Sequence, residues 1–286
     1  MDWKLQDEVG PGCRNLPDDV RLVRALLNVD RRHQGDKALA IHSAADHELF
    51  AALARLQNRH GVAVASSRVA PHSRTWQWLL DGLAVSRQPL SLIPPKRARL
   101  SWDFEGQEGG QNHSRMLWMS SLQQGLRLGR GFDLAERGQV GAQQWLHRAG
   151  VDAAKARLLS SAARLRGAAA RNFVLDHDLL DFEITPGVQL ALFEQCVQGA
   201  EREICRICGS PSVSSVFGVV NWPSADHRIQ EVLIDLQLRG DYTAPQLPRV
   251  QPALVANDRQ ALSQALQGAW PGVPVARQQR RLQLLQ

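Results

Sequence analysis

Acidic residues flank a glycine-rich stretch near the middle of the chain. Glu105 and Glu108 each precede a glycine, and Asp133 follows 28 residues after Glu105. Hydrolysis of a glycosidic bond requires one protonated carboxyl group that donates to the leaving oxygen. It also requires one ionised carboxylate that activates water or stabilises the sugar cation. The spacing of these acids therefore favours glycosidase chemistry.

The stretch between the acids is expected to form a short β-hairpin. From Gly125 to Leu134, glycines recur between alternating apolar residues, and this pattern is typical of two short strands. Glycines accept a positive φ and let another backbone or a ligand come close. The sequence therefore predicts a hairpin that forms one wall of a cleft.

Three motifs carry a resemblance to a known family. They are His113-Ser114-Arg115 with Leu117-Trp118, the run from Gly129 to Leu134, and the run from Asp235 to Thr243. In these motifs the chain resembles the pesticin-like muramidases, which are related to phage lysozymes. The resemblance covers most of residues 100–286. It implies a mainly α fold, of the α+β lysozyme-like kind, with a short hairpin beside the cleft.

The resemblance also implies roles for individual residues. Glu105 is expected to be the general acid and Asp133 the second carboxylate, with Glu108 as the fallback acid. The residues expected to contact substrate are His113, Arg115, Gly129, Gly131 and Tyr242. Asp235 is a candidate buried partner for Arg239, four residues later, or a support behind the hairpin.

Arg127 departs from the family pattern, because the family has a threonine here that helps to hold the catalytic water. A guanidinium near the acid favours the ionised carboxylate, which is the wrong form for a proton donor. Activity is then reduced or lost. Alternatively, Arg127 pairs with Asp133 and leaves the water to another side chain. The candidate hydroxyls are Ser114, Ser120 and Ser121.

The N-terminal part predicts a separate helical module. Helices are expected from Asn15 to Asn28, from Asp46 to His60 and from Ser73 onward, each with one apolar face. Their order resembles the peptidoglycan-binding-like domain, and a spacer or docking module is the alternative. The predicted domains are 1–84 and 101–286, joined by a proline-containing linker at 85–100.

The second domain is expected to be rich in helices after the hairpin, apart from one long loop. That loop is predicted at Gly209–Pro223, where serine, proline and glycine are frequent. The predicted helices are Val140–Ala149, Asp152–Leu165, Arg171–Leu180, one that begins at Thr185-Pro186, Ala225–Leu238, Asp258–Gln267 and Val275–Leu285.

Composition narrows the classes of function. The net charge is +6, and four of these charges come from the linker, at Arg87, Lys96, Arg97 and Arg99. No basic face with interleaved aromatic residues is visible, so nucleic-acid binding is not predicted. No apolar run approaches the roughly 18 residues of a membrane span, and the N-terminus lacks the pattern of a secretory signal.

Metal and cofactor sites are not predicted. Cys205 and Cys208 have CxxC spacing without a second pair of ligands, so free thiols are expected, with a disulfide formed after export as the competitor. His113 has no second metal ligand four residues later. Its expected role is solvent exposure or contact with substrate.

These observations predict a muramidase that cuts the β-1,4 bond between N-acetylmuramic acid and N-acetylglucosamine. The combination of modules without a signal peptide resembles antibacterial effectors of type VI secretion systems. Such a toxin is made in the cytoplasm and acts in the periplasm of a target cell. Its partners are peptidoglycan, an immunity protein and a component of the secretion apparatus. The alternatives are a catalytically impaired cell-wall-binding protein and a secretion-system adaptor.

Overall fold

The computed structural model describes residues 3–119, 121, 124–268, 270 and 272–286. Within these residues the chain is mainly helical, with one small antiparallel sheet of two strands. The helices are α1 (Pro17–His33), α2 (His47–Arg59), α3 (Arg74–Val85), α4 (Arg99–Phe104), α5 (Gln139–Arg148), α6 (Ala153–Ser160), α7 (Gly167–Asp176), α8 (Pro186–Cys208), α9 (Pro211–Phe217), α10 (His227–Arg239), α11 (Leu247–Val255), α12 (Arg259–Ala265) and α13 (Val275–Leu285). The strands are β1 (Arg127–Leu128) and β2 (Phe132–Asp133).

The chain divides into two compact units, each built from several segments. The first unit comprises Met1–Ser91, Gln107–Gly129 and Asp133–Pro186. The second comprises Leu92–Gly106, Arg130–Phe132 and Gly187–Gln286. Within the first unit, α1 packs against α7.

In the first unit, α1 lies at the centre of the N-terminal helices. It packs against α2, α3 and α7, and its buried face is apolar except at a few polar positions. Arg24 is one of these, and its guanidinium donates to the carbonyl oxygens of Ala40 and Ala44 and pairs with Asp46. A fully buried arginine is tolerated here because its charge and several of its N–H groups find partners.

In the second unit, α4, α10 and α13 pack against one another, and α12 packs against α10 and α13. The core includes Phe193, Val232, Leu233, Leu236 and Leu262, all of which are fully buried. This trio of α4, α10 and α13 is important for the site, because each of the three helices contributes polar side chains to the same buried cluster.

The structure confirms the mainly α prediction and the short hairpin. It also confirms the N-terminal helices, including the N-cap at Ser73, whose hydroxyl accepts from the N–H of Trp76. The predicted loop at Gly209–Pro223 was wrong in part, since α9 occupies Pro211–Phe217. Pro211 stands in the first turn of that helix, where the missing N–H costs nothing. Two further helices, α4 and α11, were not predicted.

Close packing at Gly125 leads to a stability prediction. A Cβ atom added there would lie 2.1 Å from the Cβ of Ala135 and 2.9 Å from the carbonyl oxygen of Leu165. We expect Gly125→Ala to lower the free energy of unfolding by about 1–3 kcal/mol, because the neighbours must move. Chemical denaturation measures this change.

Gly141 provides the matched control for that substitution. It lies inside α5, and an added Cβ would meet nothing within 4 Å. Gly141→Ala should therefore raise the free energy of unfolding by up to about 1 kcal/mol. Equal effects of the two substitutions would contradict the packing described at Gly125.

No helix in the described part of the chain is both long enough and apolar enough to cross a membrane.

Candidate functional site

Glu105 lies at the C-terminal end of α4, next to the turn of the hairpin. Its side chain is buried, with the residue 9% exposed. A Cβ atom added to Gly131 would lie 3.9 Å from Cγ of Glu105, and Gly131 has a φ of +80°. The hairpin turn therefore places a residue without a side chain beside this carboxyl group.

Two residues hold the hairpin turn against the end of α4. The guanidinium of Arg130 donates to the carbonyl oxygens of Trp102 and Gly106, and it lies 4.5 Å above the indole ring of Trp102. The thiol of Cys196 on α8 donates to the carbonyl oxygen of Gly131 at 3.5 Å. These contacts fix Glu105 and Gly131 relative to each other within the second unit.

Glu105 is also the end of a buried ionic network. Nη2 of Arg277 on α13 lies 2.7 Å from Oε1 of Glu105 and 2.6 Å from Oδ1 of Asp235 on α10. Asp235 is fully buried and also accepts from Ser101 of α4 at 2.9 Å. One guanidinium therefore bridges the predicted acid and a buried aspartate, so three helices meet at this carboxyl group.

The network continues beyond Asp235. Arg281, one turn after Arg277, donates to Asp235 at 2.7 Å and to Asp241 at 2.7 Å, and Arg239 also pairs with Asp241. Of the two alternatives for Asp235, pairing with Arg239 was wrong, because Asp235 pairs with Arg277 and Arg281 of α13 instead. These two arginines lie on one face of α13 because residues four apart face the same way.

Charge interactions outweigh the cost of burial in this network. Burial alone would raise the pKa of Asp235, but the guanidinium groups of Arg277 and Arg281 hold it below its ordinary value of 3.8. Burial likewise opposes the charge on Arg277, but the carboxylates of Asp235 and Glu105 raise its pKa. Asp235 and Arg277 are therefore both held in their charged forms by their neighbours.

The two oxygens of Glu105 differ in their surroundings. Oε1 is held by Arg277, whereas Oε2 receives no hydrogen bond from any residue that the structure describes. The carboxyl group is therefore oriented through one oxygen, and the second oxygen is available for proton transfer. A carboxyl group positioned in this way can act as a general acid or base toward a bound oxygen atom.

In the first unit, Arg127 lies along the hairpin and pairs with Asp133. Its Nε is 3.3 Å from Oδ2 of Asp133, and its guanidinium lies 5.5 Å from the centre of the Trp118 ring. The other oxygen of Asp133 accepts from the N–H of Ala135 at 2.8 Å. Of the two alternatives given for Arg127, the structure therefore shows the one in which it pairs with Asp133.

The fallback acid Glu108 belongs to a second ionic cluster in the first unit. Its Oε2 accepts from Nε of Arg115 at 2.8 Å, and Arg115 also pairs with Glu183. Nδ1 of His113 accepts from the N–H of Gly109 at 2.7 Å, so its proton is on Nε2, which lies 2.9 Å from Glu183. His113 and Arg115 are buried, so of the two alternatives for His113, solvent exposure was wrong.

Tyr242 is a core residue and does not line a cleft. It is 4% exposed, and its hydroxyl group donates to Gln251 at 2.6 Å and lies 3.4 Å from the thiol of Cys208. Burial, reinforced by the hydrogen bond with Cys208, raises the pKa of Tyr242. All four cysteines are free thiols, and Cys205 is exposed.

The remaining predicted residues have local structural roles. Gly129 has a φ of +67° and donates its N–H to the carbonyl oxygen of Ser114 at 2.6 Å. Of the serines considered as holders of water, Ser114 donates its hydroxyl to Gln107 and Ser121 is exposed, while Ser120 lies outside the described residues. No group of three or more potential metal ligands occurs within the described residues.

Sequence reasoning missed Arg277, Arg281 and Glu183. The two arginines are four residues apart and therefore share one face of α13, but a third arginine and three glutamines in the same helix give no sign that these two are buried. Glu183 carries no signal either, because its partners His113 and Arg115 are about 70 residues away in the chain.

The fold and these clusters define a mainly helical protein in which ionic networks hold a helix-ending glutamate beside a glycine hairpin. Residues 98–282 match the family model described as Domain of unknown function (DUF8812). The chain belongs to this family, and the matched region contains both ionic clusters. No curated protein and no solved structure matches the chain.

Proposed function

We propose that this protein is a peptidoglycan-cleaving muramidase that hydrolyses the β-1,4 bond between N-acetylmuramic acid and N-acetylglucosamine. The observation that carries the proposal is the placement of Glu105. This carboxyl group ends a helix, is held by Arg277 through one oxygen, and lies beside the side-chain-free hairpin turn at Gly131. The motif resemblance to pesticin-like muramidases supplies the substrate class.

In the proposed reaction, Oε2 of Glu105 carries the proton that is donated to the glycosidic oxygen. Arg277 keeps the carboxyl group in one orientation, since it also holds the buried Asp235. Asp133 serves as the second carboxylate and acts on water or on the developing oxocarbenium ion. Arg127, which pairs with Asp133, takes the place of the family threonine.

One observation favours a second candidate, a cell-wall-binding protein that does not cut. Both proposed carboxylates are paired with arginine: Glu105 with Arg277 and Asp133 with Arg127. An arginine that favours the charged carboxylate opposes proton donation. In this alternative the protein keeps its affinity for glycan chains and has lost the arrangement that activates water.

Digestion of isolated peptidoglycan sacculi distinguishes the two candidates. The full chain is incubated with sacculi, soluble products are identified by mass spectrometry, and bound protein is measured by co-sedimentation. The muramidase proposal predicts soluble disaccharide peptides, and their loss in Asp133→Asn. Co-sedimentation without any product would support the binding protein, and Arg127→Thr would then be expected to restore cleavage. Neither binding nor cleavage would contradict both candidates.

We further propose an antibacterial role that rests on the same activity. In this role the protein is a toxin that is delivered to the periplasm of a target cell by a contact-dependent machine such as a type VI secretion apparatus. The producing cell then needs an immunity protein against its own toxin. The proposed partners are therefore peptidoglycan, this immunity protein and a component of the secretion apparatus.

A further inference from the structure

The N-terminal helix α1 presents a polar stripe to the segment that follows α7, within the first unit. Arg21, Asn28 and Arg32 are spaced by seven and four residues, so they lie along one face of the helix. The segment from Asp176 to Glu183 carries four acidic residues. It belongs to the family-matched region, whereas α1 lies outside that region.

Arg32 makes the strongest of these contacts. Its Nε and Nη2 lie 2.7 and 2.5 Å from the two oxygens of Asp181, and its Nη1 lies 2.6 Å from Asp178. Two hydrogen bonds to one carboxylate fix the orientation of the Arg32 guanidinium relative to Asp181 as well as the distance between them. Burial opposes the charge on Arg32, but the hydrogen bonds that it donates to Asp181 and Asp178 raise its pKa.

Two further contacts extend the same surface. Asn28, which is fully buried, donates to Asp178 at 3.2 Å, and Arg21 lies 2.6 Å from Asp176. Asp178 has a φ of +51°, a conformation that L residues rarely adopt. Its carboxylate is therefore held by α1 at the point where the backbone turns out of α7.

The acidic segment 176–181, which α1 contacts, leads directly into the second ionic cluster. Two residues after Asp181, Glu183 lies 2.9 Å from Nε2 of His113 and pairs with Arg115. A backbone hydrogen bond connects the same two segments, because the N–H of Ile184 donates to the carbonyl oxygen of Arg115 at 2.9 Å. His113 in turn accepts from the N–H of Gly109, at the turn that follows Glu108.

We propose that α1 is a brace for the family domain, docked on its acidic segment 176–181 so that Glu183 supports His113, Arg115 and the turn at Gly109. Arg32 is the positioning residue of this brace. The N-terminal part then acts as a structural component of the first unit, independently of any sugar binding. The proposal does not rest on muramidase activity.

Hydrogen exchange measured by mass spectrometry on the full chain tests the brace. We expect Arg32→Ala to speed exchange about tenfold in both 176–184 and 107–116, the order expected when hydrogen bonds to a charged group are lost. Arg59→Ala is the matched control, because Arg59 is 34% exposed against 33% for Arg32 and pairs with Asp30 among the N-terminal helices. It should leave both segments within about twofold of the wild type.

Two further variants change the acidic segment instead of α1. Asp181→Asn removes one of the two carboxylates that Arg32 holds and should speed exchange in both 176–184 and 107–116. It tests the proposal independently if Arg32→Ala does not fold. Glu183→Gln should speed exchange in 107–116 alone. Faster exchange confined to 176–184 in Asp181→Asn would overturn the proposal. Equal effects of Arg59→Ala and Arg32→Ala in the two segments would overturn it too.

Discussion

Asp235→Ala is expected to lower the free energy of unfolding by about 3–5 kcal/mol, the usual cost of removing one partner from a buried ionic network. Asp235 is fully buried and accepts hydrogen bonds from Arg277, Arg281 and Ser101. Without it, two buried guanidinium groups share only the carboxylates at the ends of the network. Urea or guanidinium denaturation measures the loss, and Asp235→Asn provides a milder version of the same change.

Asp103→Ala is the control for this substitution. Asp103 lies on α4 in the same unit and pairs with Arg99, but both side chains are about half exposed, at 46% and 57%. An exposed pair of this kind contributes less than about 1 kcal/mol. If Asp235→Ala cost no more than Asp103→Ala, the ionic network would not hold α4, α10 and α13 together.

The same network predicts how stability depends on pH. The pKa of Asp235 is lowered from 3.8 in the folded protein by Arg277 and Arg281, against the opposing effect of burial. Its contribution to stability is therefore present in full above about pH 3.8 and is lost as the pH falls through the lower, folded value. Asp235→Asn removes this contribution, so its unfolding free energy should fall less steeply with acidification below pH 3.8.

Glu105→Gln is expected to reduce the proposed muramidase activity by about 10²–10⁴-fold, the usual contribution of a positioned general acid. Glutamine fills the same space and still offers an oxygen to Arg277, but it cannot donate a carboxyl proton. The rate of release of soluble products from sacculi measures the effect. A denaturation curve for the variant separates loss of chemistry from loss of folded protein.

Glu108→Gln is the matched control for Glu105→Gln. Glu108 also precedes a glycine, but its carboxylate accepts from Arg115 in the ionic cluster of the first unit. We expect this variant to keep most of its activity. If activity were lost with Glu108→Gln and kept with Glu105→Gln, the acid would be Glu108 and the role assigned to the Arg277 network would be wrong.

Much of the helical fold was predictable because its signals are local. The N-terminal helices have caps and apolar faces that can be recognised within a dozen residues, as at Ser73 and along α1. The short hairpin was predictable from its alternating glycines. At α9 the sequence predicts a loop instead, because serine, proline and glycine are frequent there, although proline is favourable in a first helical turn.

The candidate site was predictable only in part, because its partners are far apart in the chain. The sequence indicated Glu105, Gly131 and Asp133, but Arg277 lies 172 residues after Glu105. Which carboxylate an arginine pairs with is decided by the packing of α4, α10 and α13. Tyr242 shows the converse, since its place at the end of a recognisable motif did not reveal that it is buried in the core.

The most direct test of the central claim is the identity of the sugar at the reducing end of products that the purified wild-type chain releases from sacculi. The account predicts N-acetylmuramic acid at that end, and no such products from Glu105→Gln. Products that end in N-acetylglucosamine, or equal yields from wild type and Glu105→Gln, would contradict the proposal that Glu105 is the acid of a muramidase.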